Sequence, residues 1–153
     1  MRLSILFEDE LELHDKDEWG NINELIRNAA KRGKRDSDLE RFILDQHDSY
    51  HTYLYARDVI KGRWVEGEEA IKNEPIWVYY YARDVIEGRW IEGEEEIKKD
   101  LRYTYYYAKD IIKGRWLEGE EGIRKDSKWA YYYARYVLNL SNRDAREWSG
   151  YKT

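Results

Sequence analysis

The dipeptide Tyr-Ala recurs at a fixed spacing of 26 residues, with its Ala at positions 56, 82, 108 and 134. Around Ala56, Ala82 and Ala108 the chain spells Tyr, Tyr or Leu, Tyr, Ala, Arg or Lys, Asp, Val or Ile, Ile, then Lys or Glu, Gly, Arg, Trp. The fourth copy decays after Leu138. A period of this length marks supersecondary units that cannot bury an apolar face alone and shelter it against one another.

In the middle copy, Val78, Tyr79, Ala82, Val85 and Ile86 fall on one side at helical spacing, with Tyr81 flanking them, which predicts a helix from about Trp77 to Glu87. Gly88 is placed to end it. A second helix is predicted over Ile91 to Lys99, with Ile91 and Ile97 as its apolar positions. Its Glu residues crowd the start and its Lys residues the end, the order that a helix dipole favours. The expected fold is therefore all-α: a short α-solenoid of 26-residue two-helix repeats with a diverged N-terminal helical cap. One structural domain is expected, with an acidic segment and capping helices over 1–49, repeats over 50–140 and a C-terminal cap over 141–153. In the first part, Asn21 to Glu24 reads as a helix start ahead of Leu25, Ile26, Ala29 and Ala30. Ser37 with Glu40 reads as a capping box before Leu39, Phe42 and Ile43. The stretch RLSILF fits a short strand or a capping helix, and both readings stay open.

Fifteen Tyr and seven Trp stand against two Phe, so rings bearing OH and NH must supply much of the core and need hydrogen-bond partners there. With no Cys, disulfides and thiolate zinc sites are excluded. No apolar run approaches the roughly 20 residues of a membrane span, and no secretion signal is read at the N-terminus. A cytoplasmic protein with no membrane partner is expected. The net charge of −5 resides in residues 1–20, with seven acidic groups and two basic; the rest balances at 25 of each sign. That balance does not suit nucleic acid. The run Lys31-Arg32-Gly33-Lys34-Arg35 reads as a solvated helix end complementing its dipole.

The residues YARDVIKGRW followed by EGEE resemble a tandem repeat of uncharacterised proteins from tailed bacteriophages and giant viruses, over residues 50 to 140. That unit commonly continues Trp-Pro-Glu, whereas this chain carries Val65, Ile91 and Leu117 in place of Pro. The resemblance implies a viral helical repeat protein. It brings no activity with it, but it points towards proteins acting on host components, defence factors included.

Two sets of side chains recur as candidates. Arg63, Arg89 and Arg115 precede Trp64, Trp90 and Trp116, and Glu68, Glu94 and Glu120 follow at constant spacing. Their favoured reading is structural: an Arg–carboxylate pair clamping the corner between helices, with Trp over the guanidinium. The other reading is a row of ligand contacts. In the Tyr triplets, three consecutive helix positions span about 200°, so the rings cannot all enter one core. The middle ring, Tyr80, Tyr106 and Tyr132 (Leu54 in the first copy), points outward, and Asp58, Asp84, Asp110 and then Tyr136 follow four residues on. These would align into a ladder of Tyr and Asp, a chemistry suited to recognition. The alternative is that the rings pack against the next copy.

His14, His47 and His51 with Asp48 and Asp58 superficially suggest a metal or phosphohydrolase site, but Asp48-Ser49 reads as a helix cap and no metal is expected. No glycine-rich phosphate loop or nucleophile signature appears, so neither a cofactor nor an enzymatic activity is expected. The predicted function is a non-enzymatic viral interaction module that binds a host protein, an inhibitor of a host antiviral system being the concrete case. Binding would use the partner-facing residues Tyr80, Tyr106, Tyr132, Asp84, Asp110 and Tyr136, or the acidic N-terminal segment. The alternative is a sponge that holds a nucleotide or small ligand between aromatic rings and Arg side chains.

Overall fold

The computed structural model describes residues 18–152, and every element in that range is helical. The expectations for RLSILF, the acidic first segment and His14 lie outside the described residues. The chain divides into two compact units, Met1–Ile71 and Lys72–Thr153. Among the described residues, no helix is long and apolar enough to cross a membrane.

In the first unit, α1 spans Glu18–Arg32, α2 Ser37–Gln46, α3 Ser49–Tyr55 and α4 Glu68–Ile71. Helix α1 is already under way at Asn21, so the expected start there lies inside the helix. Its buried stripe is Ile22, Ile26 and Ala29, while Leu25 and Ala30 are only half-buried. The cap of α2 is Asp36, whose side chain accepts from the Leu39 amide at 3.1 Å. This corrects the Ser37–Glu40 capping box: Glu40 turns instead to Arg35 and Tyr55. Asp48 caps α3 by accepting from the His51 amide at 2.7 Å.

In the second unit, α5 spans Pro75–Tyr81, α6 Glu94–Ile97, α7 Leu101–Tyr106, α8 Leu117–Ile123, α9 Ser127–Tyr136 and α10 Asn142–Ser149. Pro75 opens α5, two residues before the expected start, because proline's fixed φ suits a first helical position. Helices α3, α5 and α7 do not simply stop. Each widens into a π turn, over Ala56–Ile60, Ala82–Ile86 and Tyr107–Ile112. The turn ends on a residue in the left-handed region, Lys61, Glu87 or Lys113, at φ 57°, 56° and 58°.

The Ala of the repeat anchors this ending. The Ala82 carbonyl accepts both the Glu87 amide and the Gly88 amide, the latter at 3.1 Å. The expected glycine stop is therefore displaced by one residue, onto Glu87. Nothing in the structure explains glycine at Gly62, Gly88 or Gly114. A wider turn also carries later residues off the 3.6-residue stripe, and Val85 and Ile86 are half-buried rather than buried.

The second helices are shorter than expected. Ile91–Gly93 is a 3-10 turn, followed by one α-turn, Glu94–Ile97. Ile97 is buried, but Ile91 is 62% exposed, as Val65 and Leu117 also are at 63% and 65%. Gly93 is buried while Ile91 lies outside, as Gly119 and Leu117 do in the α-helical third copy. A Cβ on Gly93 would lie 2.6 Å from Val78 Cγ1 and 2.7 Å from Trp90 Cε3, so the Glu-Gly-Glu glycine is demanded by the indole it supports. Trp64, Trp90 and Trp116 are among the largest fully buried side chains, together with Tyr55, Tyr81, Tyr107 and Tyr133. In the C-terminal cap, Trp148 of α10 stacks on Tyr133 at 5.9 Å, and Arg124 lies 3.7 Å from the centre of its ring.

Candidate functional site

The recurring Arg and Glu meet in every copy. Arg63 donates to both oxygens of Glu68 at 2.6 and 3.0 Å. Arg89 does so to Glu94 at 2.8 and 2.9 Å, and Arg115 to Glu120 at 2.7 and 3.1 Å. The carboxylates are buried and the guanidinium groups half-exposed. The hydrogen bonds that Arg89 and Arg115 donate to their glutamates raise the affinity of both guanidinium groups for their protons.

In the second unit a Tyr from the following copy closes the clamp. The Tyr107 hydroxyl accepts from the Trp90 amide at 2.7 Å and donates to Glu94 Oε1 at 3.1 Å. Tyr133 repeats this with the Trp116 amide at 2.7 Å and Glu120 at 3.2 Å. Burial raises the Tyr107 hydroxyl above its ordinary range and pushes Tyr133 up to about 12. The first unit carries the same device in diverged form. Arg35 holds Glu40 at 2.7 and 2.9 Å, while the Tyr55 hydroxyl accepts from the Asp36 amide at 2.8 Å and donates to Glu40 at 2.9 Å. Arg35 is thus paired while still exposed; Asp36, standing where a Trp would mark the motif, hides the pair.

One expected feature of the clamp is corrected. Trp90 and Trp116 do not lie over the neighbouring guanidinium groups; their rings sit against Tyr81 and Tyr107, at 4.8 and 5.2 Å between centroids. Trp90 is extended, at φ −115° and ψ 88°, and adjacent residues in extended chain point to opposite sides. Arg89 therefore faces outward while its Trp turns into the core.

The triplet rings divide as the angular argument predicts. Tyr81, Tyr107 and Tyr133 are fully buried, Tyr79 and Tyr105 nearly so, and Tyr80, Tyr106 and Tyr132 half-buried. The middle rings are not isolated. In the second unit, Tyr79 contacts Tyr80, Tyr103 and Tyr106 at 5.3, 5.9 and 6.1 Å, and Tyr105 contacts Tyr106, Trp129 and Tyr132 at 5.2, 5.8 and 6.3 Å. Tyr132 then stacks on Tyr136, itself 53% exposed. Tyr106 and Tyr132 each pack on a ring of the preceding copy and remain half-exposed, while Tyr80 contacts Trp77 and Tyr79 of its own copy. Trp77, Tyr103 and Trp129, one turn before each middle Tyr, belong to the same surface, a period-26 signal present in the sequence but passed over.

Cations lie over these rings. Arg83 sits 4.6 Å from the Tyr80 centroid and 5.4 Å from that of Tyr79, Arg102 4.8 Å from Tyr103, Lys109 5.9 Å from Tyr105 and Arg135 5.8 Å from Tyr136. The Asp residues of the expected ladder are turned to these neighbours. Asp84 takes two hydrogen bonds from Arg83 at 2.5 and 2.8 Å, and Asp110 accepts from the Tyr79 hydroxyl at 2.9 Å. In the first unit, Asp58 is held by Arg57, which also donates to Tyr53, and Leu54 is half-buried. The outward chemistry is thus Tyr, Trp and cation more than Tyr and Asp.

A cleft of about 250 Å³ opens beside this surface, lined by Arg83, Glu87, Gly88, Asp110, Ile111 and Lys113. The two described histidines, His47 and His51, do not converge. His47 ends α2 in the left-handed region and is exposed, while His51 is buried with Nδ1 2.6 Å from Asp48. The helix break between them removes the shared face that a single helix would give. Among the described residues, no group of three or more His, Asp or Glu is placed to hold a metal ion. No family model, curated protein or solved structure matches this chain.

Proposed function

We propose that this protein is a non-enzymatic interaction module, and that its outward face of half-buried rings binds a protein partner. The observation that carries the reading is the aromatic run from Trp77 to Tyr136, overlaid by Arg83, Arg102, Lys109 and Arg135. Trp, Tyr and Arg are the residues in which binding energy concentrates at interfaces. Rings already wedged against one another also lose little freedom when a partner arrives. Stacking of the 26-residue repeats as a short α-solenoid belongs to the same proposal, supported by the Tyr107 and Tyr133 clamps between consecutive copies. A host protein as partner, and inhibition of a host defence system in particular, rests on the family resemblance alone.

The ligand-sponge reading gains no support from the cleft beside the ring face. The cleft of about 250 Å³ falls below the 300–1,000 Å³ usual for small-molecule sites, and no aromatic ring lines it. The test is selection of binders from a displayed random-peptide library on the intact protein, followed by rescreening on Tyr106→Ala/Tyr132→Ala. The proposal expects the selected clones to lose binding while the variant keeps its helicity. Clones that bind both proteins equally would refute it.

A further inference from the structure

The three Arg–Glu clamps and Arg83 are satisfied internally, whereas Lys113 and Lys128 of the last two copies meet no carboxylate among the described residues. Along the outer stripe of the second unit, the first copy carries Ile76, Arg83, Asp84 and Glu87, a net charge of −1. The second carries Arg102, Lys109, Asp110 and Lys113, net +2, and the third Lys128, Arg135, Tyr136 and Asn139, also net +2. Geometry follows the same gradient. Arg83 is held by Asp84 in two short hydrogen bonds, at 2.5 and 2.8 Å. Lys109 stands 3.7 Å from Asp110, and Arg102 3.7 Å from Asp100. Arg135 meets a backbone carbonyl, that of Leu140, because Tyr136 replaces the Asp. Lys113 and Lys128 are exposed and have no carboxylate within 4.0 Å among the described residues.

We infer that the C-terminal two copies of this face bind an acidic protein segment, whose carboxylates take the place of the Asp that the first copy supplies to its own Arg. The inference rests on the ring face being the interaction surface and adds the sign of the partner. Spacing supports it. Lys128, Tyr132 and Arg135 follow at four and three residues, so they share one side of α9. Cations over rings present fixed charges beside apolar surface, which suits acidic residues interspersed with apolar ones. A single-stranded nucleic acid would need open ring faces for its bases. Here the cations cover faces of Tyr80, Tyr103, Tyr105 and Tyr136, and neighbouring rings meet at tilts such as 46° and 45° that close the gaps between them.

The test uses the full chain and fluorescein-labelled peptides followed by anisotropy: one alternating Glu and Leu, its Gln counterpart, its Lys counterpart, and labelled oligodeoxythymidine. The Glu peptide should bind most tightly and weaken with salt. Its affinity should fall about tenfold in Lys113→Glu/Lys128→Glu/Arg135→Gln, the combined size of a few exposed ion pairs. Glu at position 113 is what the equivalent Glu87 already carries, so the fold tolerates it. If the Gln peptide binds as well as the Glu peptide and Tyr132→Ala weakens both, the ring face stands as a docking site and the acidic partner is refuted. If charge reversal weakens binding but Tyr106→Ala/Tyr132→Ala does not, the ring-face reading itself fails. No binding of the Glu peptide, or tighter binding of oligodeoxythymidine, would overturn the inference.

Discussion

Replacing Tyr107 by Phe removes one oxygen and leaves the ring in place, so it isolates what the clamp contributes. The hydroxyl accepts from the Trp90 amide at 2.7 Å and donates to Glu94 at 3.1 Å. Without it, a buried backbone N–H loses its partner, at a cost of about 1–3 kcal/mol. Glu94 keeps both bonds from Arg89, so its loss is a single hydrogen bond, about 1 kcal/mol. A destabilisation of about 2–4 kcal/mol follows. For a chain of this size each kcal/mol shifts the melting temperature by about 2–4 °C, which gives a fall of roughly 5–15 °C. Tyr106→Phe is the control, since its hydroxyl makes no hydrogen bond among the described residues and its ring is half-buried. That variant should stay within about 0.5 kcal/mol of the parent. Urea unfolding followed by circular dichroism measures both, with a second probe to check that the two compact units unfold together. A Tyr107→Phe protein within 1 kcal/mol of the parent, or an equal loss in Tyr106→Phe, would refute the reasoning.

Three further outcomes are expected. Gly93→Ala places a methyl 2.6 Å from Val78 and 2.7 Å from Trp90 and should destabilise by about 1–3 kcal/mol, whereas Gly88→Ala meets open space and should change stability by under about 0.5 kcal/mol in thermal melts. Glu87→Gly relieves a left-handed residue at φ 56° and should raise stability by about 0.5–1 kcal/mol after the added backbone entropy of glycine; a fall in melting temperature would contradict it. The raised pKa of Tyr133 means that its neutral form is favoured by folding, so its contribution is intact below pH 10 and is lost as pH rises through about 12. Tyrosinate absorbance should therefore show a late fraction titrating together with loss of helicity; complete titration near pH 10 in the folded protein would count against it.

How far the sequence could be read follows from what repeats in it. The Ala and the Tyr triplet announce themselves because both fall on helical spacing, and the helical angle sorts the rings into buried and half-buried sets at every position but Tyr131, which is half-buried. The π turn does not announce itself. Its left-handed residue is Lys, Glu or Lys, exposed and variable in type, so the constraint lies in the backbone and leaves no side-chain signature. The side chain varies at Lys61, Glu87 and Lys113, yet these are the residues on which each first helix ends. Arg35 and Glu40 escape notice because Asp36 replaces Trp, and the exposure of Ile91 does not depend on its 3-10 turn, since Leu117 opens a continuous α-helix and is 65% exposed. The Asp residues of the ladder have local partners that spacing alone does not show: Asp58 and Asp84 are held by the Arg immediately before them, and Asp110 accepts from the Tyr79 hydroxyl.

The account turns on two registers of tyrosine, one locked inside and one presented outward. Limited nitration of the native protein with tetranitromethane, mapped residue by residue by mass spectrometry, tests this directly. The structure predicts early modification of Tyr106, Tyr132 and Tyr136, with Tyr107 and Tyr133 protected until the protein is unfolded. Nitration of Tyr107 and Tyr133 in the folded protein at rates matching Tyr106 and Tyr132 would contradict it.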